Sequence, residues 1–264
     1  METVTSRDNA ALKLARKLRT YSGRDKEGAF LVEGRKLIAE AVSAGLVPGL
    51  VLLRGAETKA KLPALYHRKD APRTLCVAEA LYDEIAGTVT PQSVMAVFEK
   101  PKDRELPPSM KLVLILDRIQ DPGNAGTMIR TAYAAGADAV LCTRGTVDLW
   151  SDKVVRSAAG ALFKLPSKEG LSVAEANYIV RENRMNLIVL DADGYDYLEA
   201  DLTGRCGIVV GNEGSGPSEL FRRGAQSVIG VPMREGSESL NAGVAAAVVL
   251  YEKRRQDLNA QANR

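Results

Sequence analysis

The sequence predicts an α/β protein in which a smaller α/β domain precedes a domain built on a parallel sheet. From residue 111 onward, continuous apolar runs alternate with helix-like segments, as in parallel sheets covered by helices on both faces. Residues 99–111 contain three prolines and many charged side chains, a composition typical of a linker. The predicted domains are therefore residues 1–105 and 106–264.

In the first domain, short apolar runs bounded by turn residues predict strands, and apolar residues at helical spacing predict helices. The predicted order is a strand at 30–34, a helix at 35–46, a strand at 49–55, a helix at 78–86 and a strand at 93–100.

The second domain begins with KLVLILD, an uninterrupted apolar run typical of a central strand that is buried on both faces. A glycine at position 136 is expected to close the helix that follows. The other predicted strands are 137–143, 186–194, 207–216 and 227–233, and the predicted helices are 127–137, 154–163 and 240–255.

The composition excludes several protein classes. Hydrophobic residues make up 45% of the 264 residues and charged residues 26%, which is ordinary globular usage. The longest uncharged apolar stretch, 242–251, is about half of what a bilayer span needs, and the N-terminal residues have no signal-peptide pattern. Cys76, Cys142 and Cys206 match neither a disulfide framework nor a zinc spacing. We expect a soluble, cytoplasmic protein with no metal site.

His67 is the only histidine in the chain, and it lies in YHRKDAPR without a nucleophile motif nearby. Catalysis by Ser-His-Asp or Cys-His groups is therefore disfavoured, as is an imidazole metal site. The chemistry has to use arginine, carboxylate, hydroxyl, amide or backbone groups, or a bound cofactor.

The net charge of +3 conceals a basic surplus in residues 1–36, which hold nine basic and five acidic residues. Lys13, Arg16 and Lys17 fall on one side of a predicted helix. A basic helix face can bind the phosphates of RNA, but a solvated helix face is the more common explanation. Both interpretations stay open at this point.

The loop after KLVLILD contains two polar side chains with alternative explanations. Asn124 lies where a helix N-cap is expected, and capping is at least as common as a functional role. Arg130 follows six residues later, in a helix whose other residues are largely apolar. Its guanidinium either extends to water or points into a site.

Two further loops follow predicted strands. In IVVGNEGSGPS, glycines surround Glu213 and leave the backbone open to a ligand, although the pattern matches neither a dinucleotide nor a P-loop fingerprint. In VPMREGSESLNAG, Ser239 is placed to cap the last helix, and Asn241 falls in its first turn. Ligands bind beyond the carboxyl ends of parallel strands, so these loops predict a small-molecule pocket made largely of backbone.

The three loops resemble the TrmH/SpoU family of SPOUT methyltransferases. The motifs DPGNAGTMIRTAYAAGA, VVGNEGSGPS and VPMREGSESLNAGVAAAV occur in the family's order across residues 111–257. Further upstream, NAALKLARKLRTYSGRDKEGAFLVEGRKLIAEAV is similar to the ribosomal-protein-like substrate-binding domain that often precedes this enzyme. The two resemblances together cover nearly the whole chain.

The resemblance implies a trefoil knot in the second domain, S-adenosylmethionine as methyl donor, a ribose 2′-hydroxyl of RNA as acceptor, and a homodimer. Ribosomal RNA is the first expectation for the substrate and transfer RNA the second. The positions that match the family's catalytic set are Asn124, Arg130, Glu213, Ser239 and Asn241. The positions that match its cofactor-binding set are Gly211, Val231 and Leu240.

We hypothesise that Arg130 stabilises the developing alkoxide, since a guanidinium is a poor base. Glu213 is expected to orient it through a charge-assisted hydrogen bond, while the other three catalytic positions hold the ribose and the loop. Two alternatives remain: an RNA-binding or ribosome-assembly factor without catalysis, and an unrelated nucleotide-binding α/β enzyme.

Overall fold

The computed structural model of the protein describes residues 3–55, 71–88, 90–101, 105–234, 236–237 and 239–262. His67 lies outside the described residues. The strands are β1 (Thr3–Val4), β2 (Ala29–Glu33), β3 (Pro48–Arg54), β4 (Arg73–Val77), β5 (Val94–Glu99), β6 (Leu112–Asp117), β7 (Ala139–Thr143), β8 (Ser167–Leu171), β9 (Asn186–Asp196), β10 (Cys206–Gly211) and β11 (Ser227–Gly230). The helices are α1 (Ala10–Leu18), α2 (Tyr21–Glu27), α3 (Arg35–Ser43), α4 (Glu79–Ile85), α5 (Pro122–Ala135), α6 (Asp152–Ser157), α7 (Ala161–Lys164), α8 (Val173–Glu182), α9 (Glu219–Gly224) and α10 (Ala242–Ala262).

The chain divides into two compact units. The first contains Met1–Lys102 and Trp150–Phe163, and the second contains Asp103–Leu149 and Lys164–Arg264. The sequence analysis placed the whole of 150–163 in the second domain. In the structure, residues 150–163 pack with the first unit, where the ring centroid of Trp150 lies 4.6 Å from that of Phe30. Long-range aromatic contacts of this kind leave no local signal in the sequence.

The first unit has a sheet of mixed strand direction, in the order β1-β4-β3-β5-β2. Strand β5 runs antiparallel to both of its neighbours, whereas β4 pairs in parallel with β1 and β3. Helix α1 buries the apolar face that its spacing predicts, with Leu12, Ala15 and Leu18 fully buried. The sequence analysis did not predict β4.

The second unit contains the predicted parallel sheet. Among the described residues its strand order is β11-β9-β10-β6-β7-β8, and every neighbouring pair is parallel. Strand β6 is buried along its whole length, as its continuous apolar run predicts. The edge strand β8 was missed because most of its residues are exposed and polar. Helix α8 was missed as well, although Ser172 and Glu175 form a capping box at its start.

Two predicted helices differ from their expected bounds. The helix expected at 154–163 is split into α6 and α7, because Ala159 and Gly160 adopt left-handed conformations with φ of 48° and 91°. Helix α5 begins at Pro122 rather than at residue 127, because proline is suited to the first helical position and Asp121 caps it. Gly136 closes α5 in a left-handed conformation, as predicted.

The parallel arrangement determines where loops can meet. Strands β11, β9, β10 and β6 are consecutive in the second sheet, so the segments that follow them emerge side by side at one edge. No helix in the described part of the chain is both long and apolar enough to cross a membrane.

Candidate active site

A cavity of about 990 Å³ lies at the carboxyl ends of β9, β10 and β11. Seven of the eight sequence-predicted site residues line it, and the exception is Arg130. The seven are Asn124, Gly211, Glu213, Val231, Ser239, Leu240 and Asn241. The structure therefore brings together loops that are far apart in sequence, with Asn124 lying 89 residues from Glu213 and 117 from Asn241.

The turn after β10 folds back on the end of its own strand. The backbone of Asn212 accepts a hydrogen bond from the backbone N–H of Gly216 at 2.9 Å, and Gly216 has a φ of 67°. A Cβ at Gly211 would overlap the backbone of Gly216 and Pro217. Glycine is required at 211 because two stretches of backbone approach each other there, and the cavity wall on this side is bare main chain.

Three predicted side chains form one continuous chain of hydrogen bonds. The side-chain amide of Asn124 donates to Oε1 of Glu213 at 3.0 Å, and its Oδ1 accepts from Nδ2 of Asn241 at 2.8 Å. Glu213 also accepts the backbone N–H groups of Gln120 and Asp121 at 3.3 and 3.4 Å. These bonds tie the turn after β10 to the starts of α5 and α10.

The two capping predictions at this site were wrong. Asp121, not Asn124, caps α5, with its carboxylate accepting the backbone N–H of Asn124 at 2.7 Å. Asn241, not Ser239, caps α10, because its Oδ1 accepts the N–H of Gly243 at 2.9 Å. The earlier start of α5 frees the side chain of Asn124 for Glu213, and Ser239 is left exposed at the cavity wall.

Glu213 is held in its ionised form. Partial burial by itself would raise the pKa of the Glu213 carboxyl, but the side-chain amide of Asn124 and nearby backbone N–H groups outweigh it. The pKa of Glu213 is therefore below its ordinary value of 4.5. The cavity has a fixed negative charge at this position at neutral pH.

Arg130 is placed differently from the other predicted residues. It lies on α5 and is exposed, and it makes no hydrogen bond or ion pair with the described part of the chain. The expected hydrogen bond from Arg130 to Glu213 is not formed, since Glu213 bonds Asn124 instead. That expectation is wrong for the single chain.

The sequence analysis missed the contribution of the β9 end to the cavity. Asp191 and Asp196 line it, and the carboxylate of Asp191 forms an ion pair with Arg222 of α9. Among the described lining residues, these two aspartates and Glu213 are acidic and Arg222 is basic. The signal was available, because the aspartates and glycine of DADG directly follow the apolar run NLIVL, although the structure keeps them within β9.

Comparison with known proteins decides the family. The model of the SpoU rRNA Methylase family matches residues 111–251, and the model of the MRM3-like substrate binding domain matches residues 9–96. The chain belongs to the SpoU rRNA methylase family. One curated relative, the Bacillus subtilis 23S rRNA (guanosine(2553)-2′-O)-methyltransferase RlmP, is 33% identical over 96% of this chain and 100% of its own length. The zebrafish (Danio rerio) mitochondrial rRNA methyltransferase 3A is 33% identical over 97% of this chain and 70% of its own length.

Solved structures of SpoU family members agree with the fold described above. The SpoU methyltransferase AviRb of Streptomyces viridochromogenes, crystallised in complex with the cofactor AdoMet, is 31% identical with a TM-score of 0.86. The match covers 94% of this chain and 98% of AviRb. The AdoMet-bound rRNA methyltransferase of Sinorhizobium meliloti is 28% identical with a TM-score of 0.83, over 96% of this chain and 97% of that protein.

Proposed function

We propose that this SpoU family member transfers the methyl group of S-adenosylmethionine to the ribose 2′-hydroxyl of a nucleotide in structured ribosomal RNA, in the cytoplasm. The curated relatives support ribosomal over transfer RNA, because RlmP and a 30% identical Streptomyces viridochromogenes enzyme are both named as 23S rRNA 2′-O-methyltransferases. Their named targets are a guanosine and a uridine. The proposal therefore specifies the sugar and not the base.

The cavity suits S-adenosylmethionine in size, surface and charge. A volume of about 990 Å³ is on the scale of cofactor sites. The turn at Gly211 presents bare backbone, which allows a ligand to approach closely. The acidic majority among the charged lining residues favours a cationic sulfonium. Gly211, Val231 and Leu240 are the proposed contacts to the cofactor.

The bound cofactor supplies a methyl group that is already activated by its sulfonium, so the chain has to position and assist the ribose oxygen. Asn124, Glu213 and Asn241 hold the cavity loop against two helices through the hydrogen bonds described above. Ser239 is exposed at the cavity wall and makes no hydrogen bond within the described residues. Its hydroxyl is therefore available to bind the ribose.

Arg130 is the proposed group that stabilises negative charge on the 2′-oxygen as its proton passes to an RNA phosphate or to solvent. A guanidinium is always protonated and can hold an oxyanion and a phosphate together. Arg130 does not line the cavity of its own chain, and exposed apolar residues lie on α5 and α10, including Tyr133, Val244 and Tyr251. We propose a homodimer in which Arg130 of one protomer serves the cavity of its partner.

Mixing two inactive variants tests this arrangement. Arg130→Ala keeps the cavity, whereas Gly211→Val displaces the backbone of Gly216 and Pro217 in the cavity wall and keeps the arginine. If Arg130 acts across the dimer, co-refolding equal amounts restores about a quarter of wild-type activity, since half of the dimers are mixed and each has one complete site. Absence of any recovery in verified mixed dimers contradicts the proposal, as does a chain that sediments as an active monomer.

The substrate is tested by transfer of a labelled methyl group. Purified ribosomal RNA and transfer RNA are offered separately, and the modified nucleotide is mapped in the labelled one. We expect label in ribosomal RNA and none in a substrate with 2′-deoxyribose at the mapped position, because that sugar lacks the acceptor. Binding of RNA without transfer supports the alternative of a non-catalytic factor.

We further propose that residues 1–105 bind the RNA, supported by the match to a substrate-binding domain family over 9–96. Deleting them is a poor test, because Trp150 packs on Phe30 and would be left exposed. Charge reversal at Lys26 and Lys36 is better, since both are exposed without an ion pair in the described chain. We expect weaker RNA binding with unchanged affinity for S-adenosylmethionine. Unchanged RNA binding would show that Lys26 and Lys36 do not take part in RNA recognition.

The trefoil knot implied by the family resemblance also remains a proposal. It predicts that a chain whose two ends are joined before it has folded does not reach the native state, because a closed chain has no free terminus to thread.

A further inference from the structure

Arg118 has a backbone conformation that is rare for a residue with a side chain. It directly follows the last residue of β6 and has a φ of 59°. Left-handed backbone is disfavoured for L-residues other than glycine. Such conformations persist where the surrounding structure imposes them, often at functional sites.

Both ends of the turn after β10 are bonded to Arg118. Its guanidinium Nη2 donates to the carbonyl of Gly216 at 3.0 Å. Its own carbonyl accepts the side-chain amide of Asn212 at 2.9 Å. Arg118 does not line the cavity, whereas Asn212 and Gly216 do. Arg118 therefore contacts two residues of the cavity wall without itself lining the cavity.

The residue before Arg118 holds the same turn at its far end. Asp117 is fully buried, and its Oδ2 accepts both the backbone N–H and the hydroxyl of Ser218 at 2.7 Å. Its Oδ1 accepts the hydroxyl of Thr143 at 2.8 Å, and that hydroxyl oxygen accepts the backbone N–H of Arg118 at 3.0 Å. Because Asp117 and Thr143 are both buried, the base from which Arg118 extends is rigid.

We propose that Arg118 is a positioning residue for S-adenosylmethionine, which braces the glycine-rich turn so that its backbone stays preorganised around the cofactor. With its backbone in this disfavoured left-handed conformation, Arg118 places its guanidinium within hydrogen-bond distance of the carbonyl of Gly216. This inference rests on the proposed cofactor use. It assigns to Arg118 a role in cofactor affinity and none in contact with RNA.

The substitution Arg118→Gly separates the effect of the backbone strain at residue 118 from the effect of the guanidinium that braces the turn. Glycine removes the backbone strain and keeps the carbonyl for Asn212, but it loses both the brace on Gly216 and the ion pair of the guanidinium Nε with Asp117 at 3.6 Å. We expect an unfolding temperature equal to or above that of wild type, together with about tenfold weaker binding of S-adenosylmethionine by calorimetry, the scale of one lost charge-assisted hydrogen bond. Arg118→Ala loses the brace and keeps the strain, so we expect equally weak binding with lower stability.

Arg184→Gly is a matched control. Arg184 is likewise an arginine in a left-handed conformation, with a φ of 50°, but it is exposed where Arg118 is partly buried, and it does not line the cavity. The same substitution there is expected to relieve the same strain without changing cofactor affinity. Arg118→Lys, which keeps a cation, is expected to recover part of the lost affinity.

The outcomes separate this inference from the proposed function. If wild type binds S-adenosylmethionine and Arg118→Gly binds it within twofold as tightly, the positioning role is wrong and the proposed function stands. A rise in the KM for RNA with unchanged cofactor affinity likewise overturns it. If wild type does not bind S-adenosylmethionine, both proposals fail together. An Arg118→Gly variant that keeps its stability but binds S-adenosylmethionine weakly supports the proposed bracing role of Arg118.

Discussion

Helix α1 of the first unit and helix α5 of the second unit both present cations, but the surroundings of those cations differ. On α1, Lys13 pairs with Asp8 at 3.0 Å and Lys17 pairs with Glu27 at 3.1 Å. On α5, Arg130 is exposed and has no partner in the described chain. A paired cation has to break its pair before it binds a phosphate, whereas an unpaired one does not.

The pairing of the α1 cations bears on whether the basic face of this helix binds the phosphates of RNA or is only a solvated face. The third cation of that face, Arg16, donates to the carbonyl of Arg7 at 2.8 Å and lies 3.9 Å from the carboxylate of Glu84. With acidic neighbours for all three cations, the structure favours the solvated helix face over a phosphate-binding surface. Clusters of basic residues in a sequence overstate the charge available to RNA when acidic residues elsewhere in the chain fold against them.

The largest effect is expected from Gly211→Ala, at the sheet edge. The added Cβ overlaps the backbone of Gly216 and Pro217, and main chain cannot move aside as a flexible side chain can. We expect no measurable binding of S-adenosylmethionine and a loss of about 2 kcal/mol or more in the free energy of unfolding. Calorimetry and urea denaturation check this. Wild-type affinity in the variant would show that the turn does not contact the cofactor.

Next in size is Arg130→Ala. Removing one group that stabilises an oxyanion lowers turnover by about 10²–10³, while the unfolding temperature stays unchanged because the side chain has no partner in the described chain. Single-turnover methyl transfer and a thermal melt measure the two quantities. Near-normal transfer in a variant that binds the cofactor would remove Arg130 from the catalytic set.

The pH dependence of the stability contributed by Glu213 tests whether this carboxyl at the sheet edge has a lowered pKa. Its folded pKa lies below the ordinary value of 4.5, so its stabilising effect is present above 4.5 and is lost as pH falls through the folded pKa. We expect the difference in unfolding temperature between wild type and Glu213→Gln to be constant from pH 6 to 8 and to shrink below about pH 4.5. A difference that changes near pH 6 would contradict a lowered pKa.

The smallest effect is expected from Arg16→Ala on α1. Exposed ion pairs of this kind contribute about 0–1 kcal/mol to stability, and RNA affinity should stay within about twofold of wild type because the cation is already paired. Filter binding of RNA at two salt concentrations checks this. A large loss of RNA affinity would restore the phosphate-binding interpretation and remove the contrast with Arg130.

Local patterns in the sequence were sufficient for much of the second unit. The apolar run of β6 and the glycine that closes α5 predict those elements because burial and left-handed backbone act over a few residues. The ends of helices were less predictable. Asn124 and Ser239 looked like caps, but Asp121 and Asn241 were equally suitable, and only the path of the chain distinguishes them.

The sequence by itself determined the central strands of the second unit, the three glycine- and serine-containing loops, and the family that those loops identify. The tertiary structure alone decided which polar groups meet. Glu213 and Asn124 are 89 residues apart, Asn124 and Asn241 are 117 apart, and Arg118 and Gly216 are 98 apart. Helical and strand periodicity reach only a few residues along the chain, whereas these hydrogen bonds depend on parallel strands ending at the same edge of one sheet.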